Sequence, residues 1–134
     1  MANASITITG RSPERMEKPR PDLTNEEIMS LLVYVASRTH ATMTVGMLSE
    51  MLVEARRQHL YTGSIPIRPI PNGYYSEYLA EHAALLTEAG LAQKINPLVM
   101  TREGTRLLEE TIREIKERNP QQAKAWLDFP RASS

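Results

Sequence analysis

The chain has 134 residues, of which 41% are apolar and 24% are charged, a composition typical of one globular domain. Its 16 Lys and Arg balance 16 Asp and Glu, which excludes binding to nucleic acid through a large overall positive charge. The absence of Cys excludes disulfides, thiol catalysis and cysteine-ligated metal sites. Because the sequence contains neither a long apolar run nor the apolar segment of a secretory signal, we expect a cytoplasmic protein.

Residues 1–22 are predicted to form a flexible N-terminal arm. Positive and negative side chains alternate there, and the prolines at positions 13, 19 and 21 interrupt any regular structure. The alternation over Ser5–Thr9 indicates at most one short strand.

Two helices are predicted after the arm. Thr24 and Glu27 have the spacing of a capping box, and Leu23 and Ile28 flank it as a hydrophobic staple. Apolar residues then recur at helical spacing, so the first helix is expected to run to Arg38 or Thr39. The second helix is expected to begin at Thr42 or Thr44 and to fade near Leu60.

A Pro-rich segment over residues 61–73 follows the second helix. Its three prolines and two glycines exclude a continuous helix, and its isoleucines need cover, so we expect an ordered loop packed on the domain. The third helix is predicted over Ser76–Ala89, with Ser76 as N-cap and Gly90 at the left-handed position that ends it.

The last predicted elements are a short hairpin and a fourth helix. Residues 91–95 and 98–100 form the two strands, and the helix begins after Thr101 and ends near Asn119. The predicted fold is therefore mainly α with a small β-hairpin wing (α+β), in the order helix-helix-loop-helix-hairpin-helix. Residues 23–119 would form the domain, and the apolar side chains of the tail, 120–134, are expected to dock on the domain or on a partner.

One stretch of the sequence carries the resemblance to a known family. A helix ending in Leu86-x-x-x-Gly90-Leu91 is followed by a short hairpin and by the helix start Met100-Thr101-Arg102-Glu103-Gly104. Further positions of the pattern are Ser76, Leu79, Glu88, Ala89, Leu107 and Leu108, and Thr44–Leu52 is similar to the preceding helix. Over residues 24–118 the chain thus resembles the winged helix-turn-helix domain of the prokaryotic MarR-like and PadR-like regulators.

The resemblance implies that the third helix enters the major groove of DNA with its N-terminal residues at the base edges. The phosphate contacts would come from cations on the loop, the hairpin, the end of the second helix and the start of the fourth. The candidate DNA-binding residues are Arg56, Arg57, Arg68, Tyr74, Tyr75, Ser76, Lys94 and Arg102.

Several of these residues have a second interpretation. Arg56 and Arg57 also fit a solvated helix end, and Arg102 fits a helix surface crossed by salt bridges. The third helix itself has three glutamates and no Lys or Arg from residue 74 to residue 90, so it neutralises no phosphate. Tyrosines at positions 74, 75 and 78, beside a Pro-rich segment, suit either the edge of the core or a protein interface.

Catalytic and metal-binding patterns are absent from the sequence. His40, His59 and His82 are scattered, and His82 lies beside an apolar stripe, as a structural histidine does. There is no phosphate-binding loop or nucleophile elbow. We therefore expect a protein that is not an enzyme and has no cofactor or metal.

The predicted function is a DNA-binding transcriptional regulator that acts as a homodimer. Dimerisation would use the first helix, the fourth helix or the tail, because such regulators match two half-sites by two-fold symmetry. The alternative is a winged-helix protein–protein interaction module that does not bind DNA and docks a protein at the Tyr74–Tyr78 surface.

Overall fold

A computed structural model of the protein describes residues 22–39 and 42–132. The predicted N-terminal arm, including the strand at Ser5–Thr9, lies outside these residues apart from Asp22. The described part contains five helices and two antiparallel hairpins, so the mainly helical α+β class is confirmed. The elements in chain order are α1 (Asn25–Thr39), α2 (Val45–Arg57), β1 (Arg68–Ile70), β2 (Gly73–Tyr75), α3 (Glu77–Glu88), β3 (Ala92–Ile95), β4 (Leu98–Met100), α4 (Arg102–Arg118) and α5 (Pro120–Ala132).

α1 begins where its capping box predicted. The Thr24 hydroxyl accepts from the backbone N–H of Glu27 (3.1 Å), and the Glu27 carboxylate accepts from the backbone N–H of Thr24 (2.9 Å). Leu23 and Ile28 are both buried on either side of the cap. α2, α4 and α5 all pack on α1, which makes this helix the centre of the core.

α2 begins after Thr44, one of the two predicted starts. The Thr44 hydroxyl accepts from the backbone N–H of Met47 at 3.0 Å. Further along, the buried Ser49 hydroxyl donates to the carbonyl oxygen of Val45 (2.7 Å) and accepts from the backbone N–H of Ser76 (3.0 Å). This second bond ties α2 to the residue that begins α3.

The Pro-rich segment contains a hairpin where a loop without strands was expected. β1 and β2 pair antiparallel, with Arg68 opposite Tyr75 and Ile70 opposite Gly73. Each strand has only three residues, which is too short for an alternating pattern to show in the sequence. Pro69 also argues against a strand, because it has no backbone N–H to donate. The rest of the segment is ordered as expected, because Ile65 is buried.

The hairpin after α3 lies where the sequence predicted it. Gly90 ends α3 at φ 79°, and β3 pairs antiparallel with β4. The backbone N–H of Leu98 donates to the carbonyl oxygen of Met43 (2.6 Å), and the backbone N–H of Val45 donates to the side-chain oxygen of Asn96 (3.2 Å). These bonds hold the second hairpin against the chain that enters α2.

The chain after α4 forms a fifth helix, where a tail without regular secondary structure was expected. Pro120 occupies the first helical position, where the missing N–H costs nothing. Trp126 is 1% exposed, its indole N–H donates to the carbonyl oxygen of Tyr61 (3.1 Å), and its ring meets that of Phe129 edge-on at 5.8 Å. α5 thereby packs against α1 and α4 of its own chain.

Candidate functional site

α3 has one buried face and one exposed face. Leu79 and Ala83 point into the core. The side chains on the opposite side recur at intervals of four, four and three residues, which places them in one stripe along the helix. Leu85 in this stripe is 60% exposed, the largest value among the exposed large apolar side chains of the described chain. We refer to Glu77, Glu81, Leu85 and Glu88 as the outer face of α3.

Tyr78 and His82 lie along α3 with their rings stacked, at a centroid distance of 6.0 Å. Burial raises the pKa of Tyr78, and the Glu26 carboxylate raises it further. Burial also lowers the pKa of His82, against the opposing influence of Glu26. Because His82 is therefore uncharged at neutral pH, this side of α3 supplies no positive charge to the site.

Arg68 stands next to the outer face of α3, and its charge is already paired. Its Nε donates to the Glu77 carboxylate at 2.7 Å, and its guanidinium lies 5.6 Å from the centre of the Tyr75 ring. The hydrogen bond from Arg68 holds the pKa of Glu77 below its ordinary value. Both side chains of the pair are more than half exposed, so the pair contributes little to stability. A binding partner can therefore replace the contact between Arg68 and Glu77 with contacts of its own at little cost in free energy.

Ser76 does not face a ligand. The residue is fully buried, and its hydroxyl accepts from the backbone N–H of Leu79 (3.3 Å) as the N-cap of α3. Its backbone N–H is taken by Ser49. Tyr74 and Tyr75, in β2, are half-buried, and Tyr75 packs against the core.

Arg56 and Arg57 are adjacent in α2 and have different surroundings. Arg56 donates from Nε to the Thr62 hydroxyl (2.7 Å) and from Nη2 to the carbonyl oxygen of Ile65, so it anchors the Pro-rich segment. Burial lowers the pKa of Arg56. Arg57 is exposed and pairs with Glu54 within the same helix at 3.3 Å.

Lys94 and Arg102 are exposed, and neither makes an ion pair with another described residue. Lys94 lies on β3, and Arg102 is the first residue of α4. One turn further along α4, Arg106 pairs with Glu103 and with Glu110, whereas Arg102 forms no such pair.

The predicted DNA-binding residues therefore belong to three separate parts of the fold. Some lie on the first hairpin and the cap that follows it, some at the end of α2, and some on the second hairpin and the start of α4. Sequence reasoning missed Leu85 as a surface residue. Its exposure could have been predicted from the sequence, because Leu85 falls in the same helical stripe as Glu81 and Glu88.

A groove of about 110 Å³ opens between α1, α3 and α4. Its walls are mainly apolar, with two methionines, and its polar side chains are a serine, a threonine and the half-buried His82. Met29 and Met100 lie in its wall together with His82.

No protein-family model, curated protein or solved structure matches the chain. Among residues 22–39 and 42–132, no three His, Asp or Glu side chains group closely enough to hold a metal ion. No helix in this part of the chain has the length and apolar character needed to cross a membrane.

Proposed function

We propose that the protein is a winged-helix interaction module that binds a basic segment of a partner protein on the outer face of α3. One observation carries the proposal. An exposed leucine, Leu85, stands between two exposed glutamates, Glu81 and Glu88, in a stretch of sequence, residues 74–90, that itself contains no Lys or Arg. The neighbouring Arg68 is paired with Glu77.

The order of elements supports the winged-helix assignment. α1, α2 and α3 precede a hairpin that is followed by another helix, and the Met43 carbonyl bonds to Leu98 so that the chain before α2 runs beside β4. In winged helices the helix that corresponds to α3 presents its outer side to the ligand. The first hairpin, β1–β2, is inserted between α2 and α3.

The chemistry of this face fits an apolar anchor surrounded by positive charge. Burying the exposed part of Leu85 under a partner would contribute about 1–2 kcal/mol. Glu81 and Glu88 have no ion-pair partner among the described residues, so Lys or Arg of a partner can approach both. Charges at the rim of an interface mainly accelerate association and select the partner.

The charge balance of the folded part favours the same kind of partner. Residues 22–132 contain 12 Lys and Arg and 14 Asp and Glu, so this part of the chain is net negative. A negative body repels the DNA backbone and attracts basic protein segments.

Site-specific photocrosslinking in cells tests the proposal. A photoreactive amino acid replaces Leu85 in one variant and Lys124, an exposed residue of α5, in a control variant. We expect a discrete protein adduct from position 85, none from position 124, and loss of the adduct when Glu81→Lys and Glu88→Lys are added. Adducts that survive charge reversal, or that form equally from both positions, would refute the proposal.

DNA binding by a homodimer is the second candidate function. The observation that favours it is the exposure of Lys94 and Arg102. Of the predicted cations, only these two make neither an ion pair nor a side-chain hydrogen bond with another described residue. Fluorescence anisotropy with a duplex of about 30 bp across a salt series measures the phosphate contacts directly. Affinity that falls with salt and is reduced by Lys94→Ala and Arg102→Ala would support DNA binding, and absence of binding at low salt would exclude it.

A further inference from the structure

We propose that the N-terminal segment, residues 1–21, folds back on its own chain and places one isoleucine side chain, that of Ile6 or Ile8, in the groove between α1, α3 and α4. The groove is distinct from the outer face of α3, so the inference goes beyond the proposed function and does not depend on it.

The size and lining of the groove fit one aliphatic side chain. A cavity of about 150 Å³ accommodates the six carbons of benzene, so 110 Å³ corresponds to roughly four or five carbons. Met29 and Met100 contribute flexible thioether side chains that adapt to the shape of an apolar guest. The groove is too small for a helix and suits a single anchor residue from an extended segment.

The described chain begins close enough to the groove for the N-terminal segment to reach it. Leu23 is buried immediately before α1, and Asp22 accepts a hydrogen bond from the Gln122 side chain (3.1 Å). Met29, in the wall of the groove, follows Leu23 by six residues, or about 9 Å along a helix. The residues between Ile8 and Asp22 span up to about 46 Å when extended, several times the roughly 9 Å between Leu23 and Met29.

Charge complementarity favours the same contact. Residues 1–21 contain four Lys and Arg and two Asp and Glu, whereas residues 22–132 contain 12 Lys and Arg and 14 Asp and Glu and are net negative. Glu26, in the first turn of α1, acts electrostatically on His82 in the groove wall and has no ion-pair partner among the described residues. Arg15, Lys18 and Arg20 lie in the sequence between the isoleucines and α1, so they can approach this carboxylate.

The sequence of the segment fits an extended docking mode. Ile6 and Ile8 alternate with Thr7 and Thr9, so an extended chain places both isoleucines on one side and both threonines on the other. A segment tethered this closely has an effective concentration on the order of millimolar, which populates even a weak contact.

Methionine methyl NMR spectroscopy of the full chain tests the proposal. Met29 and Met100 line the groove, and Met47 and Met51 of α2 lie outside its lining and report on the remainder of the fold. The test variant Ile6→Asp/Ile8→Asp is compared with the control Thr7→Asp/Thr9→Asp, which adds the same charge on the other side of the segment.

We expect the Met29 and Met100 resonances to shift in the isoleucine variant and to remain in place in the threonine variant, with Met47 and Met51 unchanged in both. Unchanged groove resonances in the isoleucine variant, or equal shifts in the two variants, would overturn the proposal. The wild-type resonances should also be independent of protein concentration, since a dependence on concentration would assign the docked segment to a second copy of the chain.

Discussion

The substitution Gly104→Ala gives a sharp test of how the second hairpin is attached to α4. Gly104 lies in the first turn of α4, and its backbone N–H donates to the Thr101 hydroxyl that caps the helix (3.0 Å). A Cβ at this position would overlap the Leu91 carbonyl oxygen and lie 2.8 Å from the carbonyl carbon. That oxygen already accepts from the backbone N–H of Thr101 (3.0 Å), so it is held in place.

Two opposing effects set the size of the change. In an unobstructed helix, replacing Gly with Ala stabilises the protein by roughly 0.5–1 kcal/mol. An inserted methyl group that meets backbone costs typically 1–3 kcal/mol, because the backbone itself must move. At Gly104 the second effect is larger, and we expect the free energy of unfolding to fall by about 1–2 kcal/mol, which lowers Tm by roughly 3–10 °C.

Gly46→Ala is the matched control for this experiment. Gly46 also lies in the first turn of a helix, α2, and a Cβ there would meet only the Thr44 hydroxyl at 4.0 Å. We expect this variant to be as stable as the wild type or up to about 1 kcal/mol more stable. Chemical denaturation measures both variants. A Gly104→Ala variant at least as stable as the wild type would refute the close contact between α4 and the chain entering β3.

Three further predictions concern the core, the Pro-rich segment and the histidine. Trp126→Phe removes the hydrogen bond to Tyr61 and part of the buried ring, and should cost about 1–3 kcal/mol in chemical denaturation; an unchanged midpoint would contradict the docking of α5. Arg56→Ala should accelerate hydrogen exchange in the Pro-rich segment, whereas Arg57→Ala, which removes only an exposed ion pair, should leave it unchanged. Burial lowers the pKa of His82 in the folded protein below the ordinary value of 6.5, which the unfolded chain keeps. As the pH falls, the unfolded chain therefore binds a proton before the folded protein does, and the free energy of unfolding declines. His82→Gln should therefore lose less stability than the wild type between about pH 7.5 and pH 5 in thermal denaturation, and an identical loss would contradict this assignment.

Helix starts were predictable because their signals are local. Thr24, Thr44, Ser76 and Thr101 each accept a hydrogen bond from a backbone N–H three residues further on, so a short stretch of sequence contains both partners. The second hairpin was predictable for the same reason, since Gly90 and the turn at residues 96–97 bound its strands. α5 is harder to predict because a proline after Asn119 fits the end of one helix as well as the first residue of the next, and Pro120 is the first residue of α5.

The candidate site depended on partners that are distant in sequence. Ser76 is buried, and its backbone N–H donates to the hydroxyl of Ser49, 27 residues earlier in the chain. Arg56 is occupied because the Pro-rich segment folds back on α2 and offers it the Thr62 hydroxyl and a carbonyl oxygen. Sequence identified both as polar residues suited to a ligand, and only the packing determined that their hydrogen-bonding groups are used internally.

For the outer face of α3, too, the sequence determines one part of the arrangement and the tertiary structure the other. The helical spacing of Glu81, Leu85 and Glu88 is a property of the sequence, as is the absence of Lys and Arg nearby. That Leu85 is the leucine left exposed, while Leu79 is buried, follows from which side of α3 the other elements cover. Periodicity places side chains on a common face, but the solvent exposure of that face is decided by the tertiary contacts that bury the opposite one.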